Sequence, residues 1–396
     1  MGETNSYFTD GNYGESYPKE SELSDKENGV PFLRGSNLRN GELIEDNANY
    51  ITKEKHAELT SGHLVEDDIV LAVRGSLGAL GYVKDENIDW NINSQLAVIR
   101  TDKSELSGKF LVQFLLSWRG QKELLSRNTG TALKQLPIKQ LKDVPVPIVN
   151  LDEQKEIGAL FSSIDNLIAA TQDKIDILEQ ISLALKRHLY NHSWSFKDED
   201  EPWIIQTLNN STSKIKSYSL IRSVETLTNT GYKYIHYGDI HTGKVTLINS
   251  VETLPNIPAG NYELLSKGDL ILADASEDYK GIADAAILLD TDDQRVVAGL
   301  HTIALRPQNT DPVFLYYLFQ TEKFKTFARK MGTGLKVFGI SYSNLVRFKF
   351  ASPSKTLEQQ RIGNLLLTIE NLLRATTTSL KALRSVKQSL LQNLFM

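Results

Sequence analysis

The chain contains no cysteine, which removes disulfides, thiolate zinc sites and cysteine nucleophiles together and fits a reducing compartment. It also lacks any apolar run near the roughly 20 residues that a bilayer demands. Its first 30 residues are polar, without the apolar core of a secretory signal. A soluble, cytoplasmic protein is therefore expected. No GxxxxGK stretch followed by Ser or Thr is present, which argues against a P-loop ATPase. No Gly-rich turn after an opening strand, and no Asn-Pro-Pro-Tyr or Asp-Pro-Pro-Tyr, suggests a nucleotide or S-adenosylmethionine pocket. Nor is there an excess of positive charge: the net charge of −5 argues against a simple basic nucleic-acid binder.

What the chain does have is repetition. Its 396 residues exceed a comfortable single core, so two or more domains are expected. Sliding the sequence against itself aligns GVPFLRGSNLRNGEL from Gly29 with GYKYIHYGDIHTGKV from Gly231, and LVEDDIVLAVRGS from Leu64 with LLSKGDLILADAS from Leu264. GTALKQLPI from Gly130 meets GTGLKVFGI from Gly332, and 153–190 meets 358–395 without a gap at about one third identity. The basic residues repeat as well. Lys103, Lys109, Arg119, Lys122, Arg127, Lys134, Lys139 and Lys142 are opposed before Asp143 only by Glu105 and Glu123, and Lys323, Lys325, Arg329, Lys330, Lys336, Arg347 and Lys349 by no acid.

Each unit reads as a globular half followed by a long helix. Short apolar runs at 69–73, 96–99, 270–273 and 302–305 between Gly, Asn and Asp turns have the pattern of strands. One amphipathic helix is expected in each half, over 110–126 and 313–330. Pro145, Pro147 and Pro353 close the globular parts. The terminal segments carry a heptad seam: Ile157, Phe161, Ile164, Ile168, Leu178 and Leu185 in the first, and Ile362, Leu366, Ile369, Leu373, Leu383 and Leu390 in the second. Thr171 and Thr376 break both seams in phase. A helix of this length spans about 57 Å at 1.5 Å per residue, more than a 150-residue domain is wide, so an antiparallel coiled-coil pair is expected. Lys387 sits at a seam position and predicts a splayed or partner-bound end.

Candidate catalytic groups are sparse. GDLILADASEDYKG holds Asp269, Asp278 and Lys280, a loose imitation of the carboxylates and lysine of a metal-dependent nuclease. HYGDIH offers His236, Asp239 and His241 as metal ligands, although turn chemistry explains them equally. His236 and Asp239 align with Arg34 and Asn37, and Ala275 and Ser276 with Arg74 and Gly75. The frame is kept while exposed polar identities change, as two readers of different surfaces require. Arg and Asn make bidentate contacts to base edges, and Lys neutralises phosphates without reading sequence.

The order and duplication of VPVPIVNLDEQKEIGALFSSID from Val144, LEQQRIGNLLLTIE from Leu357, VPFLRGSN from Val30 and the GTALKQL and GTGLKVF pair resemble the DNA-specificity subunits of type I restriction-modification systems. The resemblance spans essentially the whole chain. It implies an α/β (α+β) fold with two tandem target-recognition domains, at 1–150 and 196–354, and two long antiparallel coiled-coil spacer helices, at 151–195 and 355–396, in a pseudo-twofold repeat. It implies a non-catalytic chain that binds a split DNA sequence and docks two methyltransferase subunits and, in some systems, restriction subunits. S-adenosylmethionine, ATP and Mg would then belong to partner chains, with no metal or cofactor on this one. The DNA-facing candidates are Arg34, Ser36, Asn37, Arg74, Ser76, Thr131, Lys134 and Lys139 in the first half, with His236, Asp239, Ser276, Lys280, Thr333, Lys336 and Ser341 in the second. Alternatives of other classes are a phage-defence nuclease using Asp269, Asp278 and Lys280, and a structural adaptor that binds protein through both halves. One departure is that the first half begins at MGETNSYFTDGNYGESYP without an opening strand or helix to match SWSFKDEDEPWIIQTL.

Overall fold

Apolar residues that alternate with turn formers give short strands, and here those strands assemble the same way twice. A computed structural model of the chain describes residues 1–130, 134–191, 202–276, 281–334 and 337–395. It divides into two compact units: Met1–Asp173 with Thr377–Met396, and Lys174–Thr376. Each unit therefore owns part of both long helices, a partition that sequence order alone does not suggest.

In the first unit, Leu96–Arg100 lies between Tyr7–Asp10 and Ile69–Ala72, with Leu80–Tyr82 beyond, all antiparallel. Ile69, Val70, Leu71 and Ala72 are all buried, because both faces of this sheet are covered. Ile69, Leu71 and Ile99 face the helical layer through Phe110 and Phe114, while Val70, Ala72 and Val98 face Leu33 and Ile92. A second sheet runs Leu23–Ser24, Asn49–Ile51, Val30–Leu33 and Asn91–Ile92, the last pair parallel. Tyr7–Asp10 gives the first half an opening strand, but one that matches Thr212–Ile215, since it pairs with Leu96–Arg100 as that strand pairs with Thr302–Pro307; the strand Trp203–Thr207 has no counterpart among the described residues of the first unit.

The second unit repeats the plan with a five-stranded sheet. Its order is Thr212–Ile215, Thr302–Pro307, Leu270–Ala273, Ala285–Leu288 and Leu247–Ile248. Tyr232–Ile235 and Arg295–Ala298 form the parallel pair that corresponds to Val30–Leu33 and Asn91–Ile92. Trp203–Thr207 adds a further antiparallel pairing with Lys349–Pro353.

A buried ion pair locks each sheet at an equivalent place. Arg100 donates to both oxygens of the fully buried Asp68 at 2.8 Å and to the His63 carbonyl at 3.1 Å. Arg306 donates to Asp269 at 2.9 and 2.7 Å and to the Leu264 carbonyl at 3.2 Å. Bidentate geometry satisfies a carboxylate that has lost its water. Asp269 is thus held in an ion pair within the sheet rather than directed at a metal, which removes the first member of the nuclease set. Asp278 and Lys280 lie outside the described residues.

The single helix expected in each half is two short helices. Gly108–Leu116 and Trp118–Ser126 are separated by Ser117, whose extended backbone (φ −66°, ψ 160°) closes one helix while its hydroxyl accepts from Gly120 N to cap the next. In the second unit Pro312–Leu318 and Glu322–Met331 break at Thr321, which likewise caps the following helix by accepting from Phe324 N.

The long helices run Leu151–Tyr190 and Thr356–Leu394, without interruption. Their repeated opening has a physical reason. Gln154 accepts from Ser107 N at 2.9 Å and donates to the Val149 carbonyl at 2.9 Å; Gln359 accepts from Asp311 N at 2.8 Å and donates to the Pro353 carbonyl at 2.9 Å. Ser107 and Asp311 are the caps of the short helices just described. Each glutamine therefore staples the start of a long helix to the start of its neighbour, and both are almost fully buried. Gly158 and Gly363 allow the close approach: a side chain there would meet Lys109 and Phe110 in one case, and Val313 and Phe314 in the other, at about 3 Å.

Within each unit the two helix segments run antiparallel. In the first, Phe161 stacks on Phe395, Asp165 pairs with Lys387 at 2.5 Å, and Gln172 accepts from Arg384. In the second, Leu185, Leu189 and Tyr190 share a core with Ile362 and Leu366. Every seam residue named above is buried or half-buried. Lys387 does not splay the end of the helix, because Asp165 neutralises it in a largely buried pair.

Candidate nucleic-acid interface

In the first unit two strand exits and the segment after the helix Trp118–Ser126 converge. Val30–Leu33 leads into the turn Gly35–Asn37, and Ile69–Ala72 into Arg74, Gly75 and Ser76. The third contributor, from Thr129 to Gln135, closes on itself through reciprocal backbone hydrogen bonds between those two residues. Arg74 ties the loops together. It bridges to Gln135 through the backbone, and its guanidinium donates to the Ser94 carbonyl at 3.1 Å and to Gln135 Oε1 at 3.4 Å. Gly75 takes φ of +74° and has open space where a side chain would stand, so the loop bends outward.

Arg74, Ser76, Ser36, Lys134 and Lys139 are exposed at this edge or on the short helix that follows it. Arg34 is half-buried and donates to the Asn47 carbonyl at 3.0 Å. Asn37 is fully buried: its Oδ1 accepts from Arg34 N, and its amide donates to the Ile44 and Asp46 carbonyls. It builds the turn and presents nothing outward. Thr131 lies outside the described residues.

The second unit brings the corresponding segments together with different chemistry. His236 is buried and caps Tyr237–His241 by accepting from Gly238 N at 3.1 Å. Burial, with the Arg222 cation beside it, holds its imidazole below the usual value. Asp239 is buried in a bidentate pair with Arg222 at 3.0 and 2.8 Å. Both are engaged inside the fold, so HYGDIH does not present a metal-binding set. Ser276 is buried where Ala275–Ser276 pairs with Phe338–Gly339. Thr333 and Ser341 are exposed, and Ser341 caps the next helix. Lys336 and Lys280 lie outside the described residues.

Several residues at this edge escaped the sequence reading. Lys214, on the strand Thr212–Ile215, and Lys216, just past its end, stand beside an open cleft of about 430 Å³ that Asp274, Ser341 and Tyr342 also line. The Lys214 ammonium lies 4.9 Å from the Tyr342 ring. His301 pairs with Asp274 at 3.2 Å and packs edge-on against Tyr237. Burial raises the Asp274 carboxyl above its usual range, with His301 opposing the shift. In the first unit Trp118 is exposed with Lys122 over its ring at 4.9 Å.

Among the described residues no helix is long and apolar enough to cross a membrane. Comparison with known proteins gives a consistent result. The family profile "Type I restriction modification DNA specificity domain" matches residues 12–180. The type I restriction enzyme MjaVIII specificity subunit of Methanocaldococcus jannaschii is 23% identical over 91% of this chain and 84% of its own length. The EcoBI specificity subunit of Escherichia coli is 29% identical over 34% of this chain and 28% of its own. A crystal structure of the type I restriction-modification system S subunit from M. genitalium superposes with a TM-score of 0.63, at 15% identity, over 99% of this chain and 94% of that one.

Proposed function

We propose that the chain is a specificity subunit of a type I restriction-modification system, a reading supported by the family profile over residues 12–180 and by the similarity to the MjaVIII subunit, and that its two loop edges each read one part of a split DNA target. The observation that carries this reading is the duplicated convergence of loops, built on one frame and finished with different side chains. In the first unit Arg74, Ser76 and Ser36 face the bases, with Lys134 and Lys139 on phosphates. In the second, Lys214, Lys216, Thr333 and Ser341 line the approach, while His301 with Asp274 supplies the polar pair nearest the cleft.

The chain recognises and assembles; it does not catalyse. The antiparallel helices serve as spacer, and their outward faces dock two methyltransferase subunits, with restriction subunits where the system has them. S-adenosylmethionine, ATP and Mg belong to those partners. The complex works in the cytoplasm, where its DNA is.

Mapping methylated adenines in cells with and without this chain tests the reading. A split motif that disappears with the chain is the expected result. Replacing residues 1–150 with those of another such subunit should change one part of the motif and leave the other intact. An unchanged motif would overturn the assignment of the first edge.

A further inference from the structure

Away from the loop edges, the first unit gathers His56, His63 and Asp89, whose ligand atoms all lie within 4.8 Å of one another. His56 lies in the short helix Lys53–Glu58, His63 in the loop that follows, and Asp89 just past the turn Asp85–Asn87. The backbone presses the three together, because Asp89 N donates to the Leu64 carbonyl at 2.8 Å.

Protonation states at this cluster are constrained. The His63 Nε2 sits 2.7 Å from the Leu59 carbonyl, which can only accept, so Nε2 carries the proton. In the neutral ring Nδ1 is then a bare lone pair, and it faces Asp89 Oδ1 at 3.4 Å. Two acceptors do not attract each other, so either a second proton on the ring or a bound cation lies between them. The His56 Nε2 is 3.1 Å from the same oxygen, yet it lies outside hydrogen-bonding alignment. The residue is only 7% exposed; its Nδ1 has no hydrogen-bond partner, and its Nε2 has only the approach to Asp89. Separations of 3.1 and 3.4 Å match the edge of a tetrahedron with metal–ligand bonds near 2.0–2.1 Å, about 3.3–3.4 Å.

We propose that His56, His63 and Asp89 bind a divalent d-block cation of the zinc class, with water at the remaining position on the exposed Asp89 side. Two imidazoles and one carboxylate select such an ion over Mg²⁺ or Ca²⁺, which prefer all-oxygen shells. The Leu59 carbonyl is the outer partner that fixes the His63 tautomer. The ion ties the short helix to the Asp89 turn over the buried Leu59 and Leu64. The second unit has Leu264 where the first has His63, as the matching Arg306 and Arg100 contacts show, so its corresponding loop lacks this ligand.

The full chain, stripped with EDTA and titrated with Zn²⁺ by calorimetry, should take up one equivalent with micromolar or tighter affinity. Co²⁺ in its place should give the visible bands of low-symmetry four-coordination. His63→Ala and Asp89→Ala alter side chains that reach solvent, so both should fold, and each should weaken binding at least tenfold. If the native chain binds zinc no better than these two variants, whether weakly or through other histidines, the site is refuted and a proton alone holds the cluster.

Discussion

At the loop edge of the first unit, Arg74 and Gly75 are exposed, whereas Ala275 and Ser276, which align with them in the second unit, are buried; Asn37 and its counterpart Asp239 are buried in both. The frames are nevertheless the same, down to a matching bidentate Arg–Asp pair beside the sheet and a matching glutamine staple in each unit. Equivalent sequence positions therefore do not hold equivalent jobs.

The shared frame is tested first and with the largest effect. Arg100→Ala and Arg306→Ala each strand a buried carboxylate and should lower stability by about 3 kcal/mol, read from urea unfolding. Similar losses would support one frame used twice; a much smaller loss in one unit would break the equivalence. Gln154→Ala and Gln359→Ala come next. Each removes a buried acceptor and donor from a helix start and should lose about 1–3 kcal/mol by the same measurement.

The edges are expected to separate the units. Arg74→Ala should weaken binding to the cognate duplex by about 1–3 kcal/mol and relax the bases read by the first unit. Lys139→Ala should instead weaken all duplexes alike and reduce the salt slope by about one. Asp239→Asn, by contrast, should lower the melting midpoint before it changes any base preference, since it acts through Arg222. Altered bases at unaltered stability would show that Asp239 reads DNA after all.

The smallest difference concerns pH. His236 has a folded pKa below its ordinary value, so the unfolded chain binds the extra proton as acid is added. Its contribution to stability is present above about pH 6.5 and is lost below it. His236→Gln should flatten that part of the unfolding profile by well under 1 kcal/mol per pH step.

The repeat, the strands and the long helices were legible because they rest on periodicity and on identity between the halves. The seam was also legible: Ile157 to Leu185 and Ile362 to Leu390 are withdrawn from solvent at every named position. The break at Ser117 was not, because a serine inside an amphipathic run gives no sign that it will cap one helix and end another. Asn37 and Asp239 were misjudged for a related reason. Their side chains suit base edges and turn building equally, and only the positions of Ile44, Asp46 and Arg222 decide between them. Asp269 looked like a metal ligand until Arg306, 37 residues further along, was found beside it.

The aromatic socket formed by Phe110, Phe114 and Phe161 has a consequence in time. Its plug is Phe395, and the whole second unit, Lys174–Thr376, is synthesised in between. The first unit thus leaves the ribosome with an apolar hole and completes only after a long-range closure that is intrinsically slow. During that interval it is the half of the molecule most in need of chaperone protection.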